Sequence, residues 1–167
     1  EERISSVYTI EESVPMFPES LSTDTFSLKA GEERNVFSYN FTISQNGTWK
    51  LTNVVRQIVR VWENLSYEHV DQLIHEDRDF WGLLHKFCQL AQQKRVENGA
   101  LNMARKEFEF DISNPEQVCI IKLNRNSPSS RIVEELAIAV NRETGRLFHE
   151  TKFPGIYRTQ SSHNIVK

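Results

Sequence analysis

Glu134 and Asn141 stand seven residues apart, with Ile138 and Gly145 continuing the same line along the chain. At about 100° per residue these four fall on one stripe of a helix. A carboxylate and an amide in line with an isoleucine and a glycine suit the wall of a cleft. There they would hydrogen-bond a polar ligand such as a ribose hydroxyl or a base edge. The same stripe also fits a solvated surface with one exposed isoleucine, and periodicity alone favours neither reading.

Other chemistry is scarce. His69, His75, His85, His149 and His163 show no metal-ligand spacing with cysteines or acids. His69 and His85 fall on helical patterns as ordinary amphipathic positions. Six glycines provide no phosphate-cradling loop. The densest acidic cluster, Glu76-Asp77-Arg78-Asp79, separates two helical patterns, so Asp79 reads as a turn or N-cap residue. Glu107, Glu109 and Asp111 alternate with Phe108, Phe110 and Ile112, which predicts one solvated strand face rather than a cation site. Cys88 and Cys119 both sit in apolar patterns and read as small buried hydrophobes, neither a disulfide nor a metal pair. Asn-x-Ser/Thr triplets at Asn40, Asn46 and Asn64 carry little weight without a secretory leader, so a reducing, cytoplasmic setting is expected.

The elements that position these residues follow from pattern. Residues 1–34 read as irregular, with Pro15 and Pro18 bracketing Met16 and Phe17. Phe37, Tyr39, Phe41 and Ile43 alternate with polar residues as a half-buried strand. Asn46-Gly47 marks a tight hairpin turn, and a return strand runs from about Trp49 to Trp62. Ser66 caps a helix over Tyr67–Ile74. A second helix carries Phe80, Leu83, Leu84, Phe87, Leu90 and Ala91 and stops near Asn98-Gly99. Two short strands follow, over 107–112 and 118–123. Ser127-Pro128 then opens a long helix to about Glu150, ended by Pro154-Gly155. On that helix Ile132, Val133, Leu136, Ala137, Val140, Thr144 and Leu147 form the predicted core stripe. The fold class is α+β: an antiparallel sheet flanked by helices.

The chain has 167 residues and a net charge of −3. Charge is uneven: residues 1–83 hold seven Lys/Arg against fourteen Asp/Glu, and residues 84–167 hold thirteen against nine. This balance gives no support to a stand-alone nucleic-acid binder, although the second half could form one wall of a basic groove. No apolar run approaches the ~18 residues of a membrane span. The opening Glu1-Glu2-Arg3, rather than a methionine, suggests processing or a fragment.

Five segments, in order, resemble the middle of the catalytic domain of the ribonuclease II family, the RNB domain. They are Ser6-Val7-Tyr8-Thr9-Ile10 with Val14-Pro15-Met16-Phe17-Pro18 and Leu21-Ser22; Phe26-Ser27-Leu28 with Gly31-Glu32-Glu33-Arg34; Asn98-Gly99-Ala100-Leu101; Ser130-Arg131-Ile132-Val133-Glu134-Glu135 with Ala139 and Asn141; and Ile156-Tyr157-Arg158. The likeness spans residues 3–160, the central part of such a domain, with 161–167 a diverging tail.

The resemblance implies hydrolysis of single-stranded RNA from its 3′ end, with Mg2+, releasing nucleoside 5′-monophosphates. On matching positions it implies that Tyr8 stacks on a base and that Glu134 contacts RNA. Asn141 and Arg131 share the matching helix as further RNA-binding candidates. Met103 stands where some members carry a second stacking aromatic, and Gln160 where a histidine is frequent. The family's Asp-x-Asp-Asp magnesium cluster precedes the matched region, its Arg-rich segment follows it, and its flanking oligonucleotide-binding barrels lie elsewhere. None of these strings occurs here. Two-metal cleavage needs closely spaced carboxylates, so no catalytic or metal-binding residue is assigned within this chain. The expected partners are single-stranded RNA, the remaining parts of the RNB domain and the barrels, with no membrane. The alternative is a non-catalytic RNB-derived module that binds RNA or a protein.

Overall fold

The computed structural model describes residues 5–9, 12–101, 107–111, 119–123 and 126–157. The N-terminal segment is mostly irregular, as its prolines predict. It also contains a short antiparallel ladder, β1 (Val7–Tyr8) with β2 (Ser13–Val14), and a π-helical turn at Leu21–Thr25. The alternating segment forms a long hairpin of β3 (Glu33–Ile43) and β4 (Trp49–Arg60). Its turn is built as the Asn46-Gly47 pair predicts. Asn46 Oδ1 accepts from the Ser44 hydroxyl at 2.6 Å and from the Thr48 N–H at 3.1 Å. Gly47 takes φ 74°, and a Cβ built there would lie 2.5 Å from Leu90 Cβ, so glycine is required for both conformation and space.

The register shifts between Asn40 and Phe41, leaving one extra residue on β4. On the turn side of this bulge Phe41 and Ile43 are half-buried and Trp49 is buried. On the far side Phe37, expected on the covered face, is 71% exposed, and its neighbour across the face, Ile58, is 64% exposed. Tyr39, next to the bulge, still reaches α3, its hydroxyl 2.8 Å from Thr144 Oγ1.

Helix α1 (Tyr67–Glu76) begins where predicted: Ser66 Oγ accepts from the His69 N–H at 3.2 Å. The next cap falls on Asp77 rather than Asp79, because Asp77 Oδ1 accepts from the Phe80 N–H. The expected second helix is accordingly split into a π-helical turn, Arg78–Gly82, and α2 (Leu83–Glu97). Strands β5 (Glu107–Asp111) and β6 (Cys119–Leu123) pair antiparallel. The side chains of Glu107, Glu109 and Asp111 lie outside what is described. Helix α3 (Pro128–Thr151) is capped by Ser127 Oγ, and Asp71 on α1 accepts from the Ser129 N–H at 2.8 Å. Its end precedes Pro154: Lys152 adopts a left-handed φ of 55°, and the Phe153 N–H donates to the Phe148 carbonyl.

The core is Trp49, Ile74, Cys88, Ile132 and Ala139, with Phe41, Ile43, Val70, Trp81, Leu84 and Ala91 against it. It therefore lies where the turn end of the hairpin meets α1, α2 and α3. The class is α+β, with the antiparallel pairing among the described residues distributed over three two-stranded ladders. Two expectations fail. Cys119 is exposed on β6, whose one ladder partner among the described residues is β5, whereas Cys88 is wholly buried. The buried stripe of α3 is Ser129, Ile132, Glu135, Ala139 and Glu143. It is rotated about 75° from the apolar stripe read off the sequence. Val133, Leu136 and Ala137 are exposed, while Val140, Thr144 and Leu147 are half-buried. Apolar counting missed the buried stripe because two of its members are glutamates, buried with arginine partners.

Candidate functional site

A cleft of about 170 Å³ opens between the hairpin turn, the last turns of α2 and the middle of α3. Its apolar lining is Trp49, Ala91, Ile138 and Ala139; its polar lining includes Lys94, Arg95, Asn98, Glu135 and Arg142. Helical geometry delivers the last group. Residues 135, 138, 139 and 142 follow one another at three- and four-residue spacings on α3, while 91, 94, 95 and 98 do the same along α2 and its C-terminal cap.

Glu135, 3% exposed, is held by Arg95 from across the cleft: Arg95 Nε donates to Oε2 at 3.2 Å and Nη2 donates to Oε1. The same Nη2 is 4.0 Å from Glu134 Oε1. The hydrogen bond to Glu135 keeps the guanidinium charged against the cost of burial. Burial, with the charge of Glu135 added, pushes the neighbouring Cys88 thiol up to about 12, so it stays protonated and inert. Lys94 Nζ donates to the Thr48 hydroxyl. Arg142 donates from Nε to Glu143 at 3.1 Å and from Nη2 to the Trp49 carbonyl at 3.4 Å. Glu143 also accepts from Arg146 at 2.8 Å.

The carboxylates here do not fit a pair of magnesium ions. Both oxygens of Glu135 are engaged by Arg95, and Glu134 lies beside the same cation. Among the described residues no three His, Cys, Asp or Glu side chains cluster to hold a metal ion. A second, apolar pocket of about 470 Å³ lies between α1, the Arg78–Gly82 turn and the N-terminal half of α3. Of its polar members, Ser66 caps α1 and the Ser129 hydroxyl pairs with Ser127 at the start of α3.

Of the residues proposed from sequence, Glu134 and Asn141 are exposed on α3, with half-buried Ile138 between them reaching the cleft. Arg131 is half-buried on the first turns of α3. Tyr8 is 78% exposed on β1, in a ladder whose described hydrogen bonds close within residues 6–16. Met103 and Gln160 lie outside the described residues. Sequence reasoning missed Lys94, Arg95, Glu135 and Arg142. The one available signal was an acid, Glu135, between Ile132 and Ala139 at helical spacing, where only a paired carboxylate is tolerated.

The model of the RNB domain family matches residues 1–167, the whole chain. This chain belongs to the RNB family. Ribonuclease II of Arabidopsis thaliana, chloroplastic/mitochondrial, is 28% identical over 170 residues, covering 98% of this RNB chain and 21% of that protein. Exoribonuclease 2 of Buchnera aphidicola is 25% identical, covering 98% of the chain and 27% of that protein. The chain thus spans about a quarter of the length of these relatives. Mycoplasma genitalium RNase R, solved with ribose-methylated single-stranded RNA, superposes with a TM-score of 0.75 at 20% identity, over 89% of this chain and 24% of that one. That likeness establishes the shared fold. Among the described residues no helix is long and apolar enough to cross a membrane.

Proposed function

We propose that this RNB chain is part of a 3′-to-5′ exoribonuclease, contributing RNA-channel and scaffold residues while other parts of the protein hold the catalytic Mg2+. The observation that carries the reading is the family match across all 167 residues, joined by relatives named ribonuclease II and exoribonuclease 2. Tyr8 is available for stacking, a sequence-tolerant contact suited to a degradative enzyme. Glu134, exposed on α3 with its carboxylate 4.0 Å from Arg95, is free to accept from a ribose hydroxyl. Asn141 lies further along the same exposed stripe of α3, and Arg131 adds a cation near its start. The remainder of the RNB domain and its oligonucleotide-binding barrels complete the strand's path.

The 167 residues alone are catalytically inactive on this reading, since the family's Asp-x-Asp-Asp cluster does not occur in them and the cleft's own carboxylate, Glu135, is held by Arg95. The test is incubation of the complete protein, and separately of this chain, with Mg2+ and 5′-labelled single-stranded RNA. Stepwise shortening with mononucleotide release by the complete protein and none by the chain is the expected result. Shortening by the chain alone would overturn the division of labour. Binding without shortening by the complete protein would favour a non-catalytic RNB-derived module.

A further inference from the structure

We propose that the cleft lined by Lys94, Asn98, Ile138 and Arg142 is a ribose-phosphate subsite, holding one unit of RNA backbone beside the exposed Glu134–Asn141 stripe of α3. The inference rests on the RNA-binding reading above and adds a place and a chemistry to it.

Charge is the first argument. Three cations and a single carboxylate line the cleft, and that carboxylate, Glu135, is consumed by Arg95. Among the described residues Lys94 bonds only a neutral hydroxyl, that of Thr48. Arg142 shares Glu143 with Arg146 and spends Nη2 on a carbonyl. The cleft therefore carries positive charge in excess of its own acids, which suits a phosphate. Size is the second. About 170 Å³ falls below the ~300 Å³ at which pockets begin to enclose a whole drug-sized ligand, which suits a sugar-phosphate unit. Composition is the third. Trp49, Ala91, Ile138 and Ala139 give the carbon face of a ribose an apolar seat, and the Asn98 amide can donate to or accept from its 2′-hydroxyl. Continuity is the fourth. Ile138 belongs both to the stripe of Glu134 and Asn141 and to the cleft lining, so a strand touching one is carried to the other.

The experiment is equilibrium binding of a fluorescein-labelled single-stranded RNA to the complete protein in EDTA, repeated across a salt series. Variants are Lys94→Gln and Lys94→Gln with Arg142→Gln. Each lost phosphate contact should flatten the slope of log affinity against log salt by about 0.7, giving about 1.4 for the double variant. An unchanged slope in Lys94→Gln overturns the subsite. That single variant decides the matter even if the double variant unfolds, because among the described residues Lys94 bonds only the exposed Thr48 hydroxyl. Failure of the unmodified protein to bind the RNA at all is a separate result, and it removes the RNA reading itself.

Discussion

Arg95 on α2 reaches across to α3 and holds both carboxylate oxygens of Glu135, a residue almost wholly removed from water. The pair ties the two helices together at the edge of the cleft. Its formation repays the desolvation of Glu135, so its worth appears when one partner is removed. Arg95→Met should destabilise the chain by ~3–5 kcal/mol, and adding Glu135→Met should recover most of that loss. Urea unfolding of the two variants checks this; a double variant no better than the single would mean the damage is lost packing rather than a stranded charge.

The two turn glycines offer a controlled comparison. Gly31 and Gly47 share positive φ, 80° and 74°, but nothing lies within 4 Å of a Cβ at Gly31, whereas Gly47 abuts Leu90. Gly31→Ala should cost ~1–2 kcal/mol of left-handed strain. Gly47→Ala should cost clearly more, because it must also push the hairpin turn off α2. Thermal unfolding midpoints of the two variants measure the difference.

Acid should weaken the fold through two groups. Burial alone would raise the carboxyl of Glu143, but its bonds from Arg146 and Arg142 together outweigh burial and hold it below the usual 4.5. The stabilisation is therefore complete above about pH 4.5 and lost as pH falls through the lower folded value. The stability gap between the parent chain and Glu143→Gln should be largest at neutral pH and close in acid.

His85 responds at higher pH. Its burial, with the nearby charges of Arg131 and His75 outweighing Asp71, holds the imidazole below its ordinary 6.5. The unfolded chain then takes up a proton first, so stability falls as pH drops through 6.5 towards the folded value. His85→Gln should flatten the stability curve between pH 7.5 and 5.5, read by denaturant midpoints. An unaltered slope would assign that region to other groups.

Tyr8→Ala in the complete protein should weaken binding of short RNA 3′ ends by ~1–3 kcal/mol while leaving the salt slope unchanged, since stacking releases no counterions. Fluorescence anisotropy across the same salt series separates this loss from the effect of Lys94.

Local signals carried much of this fold. Asn46-Gly47, Ser66 and Ser127-Pro128 each mark an element boundary through a bond formed within a few residues, and all three stand where expected. What escaped was tertiary. Glu135 looks like a solvent residue until Arg95, forty positions earlier, is seen beside it, and that one pairing turns the buried face of α3. Phe37 looks like a core residue until it is seen exposed beyond the bulge. At the candidate cleft, Ile138 is the member of the Glu134–Asn141 stripe that lines the wall. Lys94 and Arg142 were not readable from the sequence, because the cleft exists only once the hairpin turn is laid against α2.

The two cysteines, one sealed beside Glu135 and one open on β6, make the chain its own stopwatch. A thiol-alkylating reagent should mark Cys119 at once and reach Cys88 only when α2 separates from α3. The second labelling event, followed by mass spectrometry, would time the breathing of the helical core without any engineered probe.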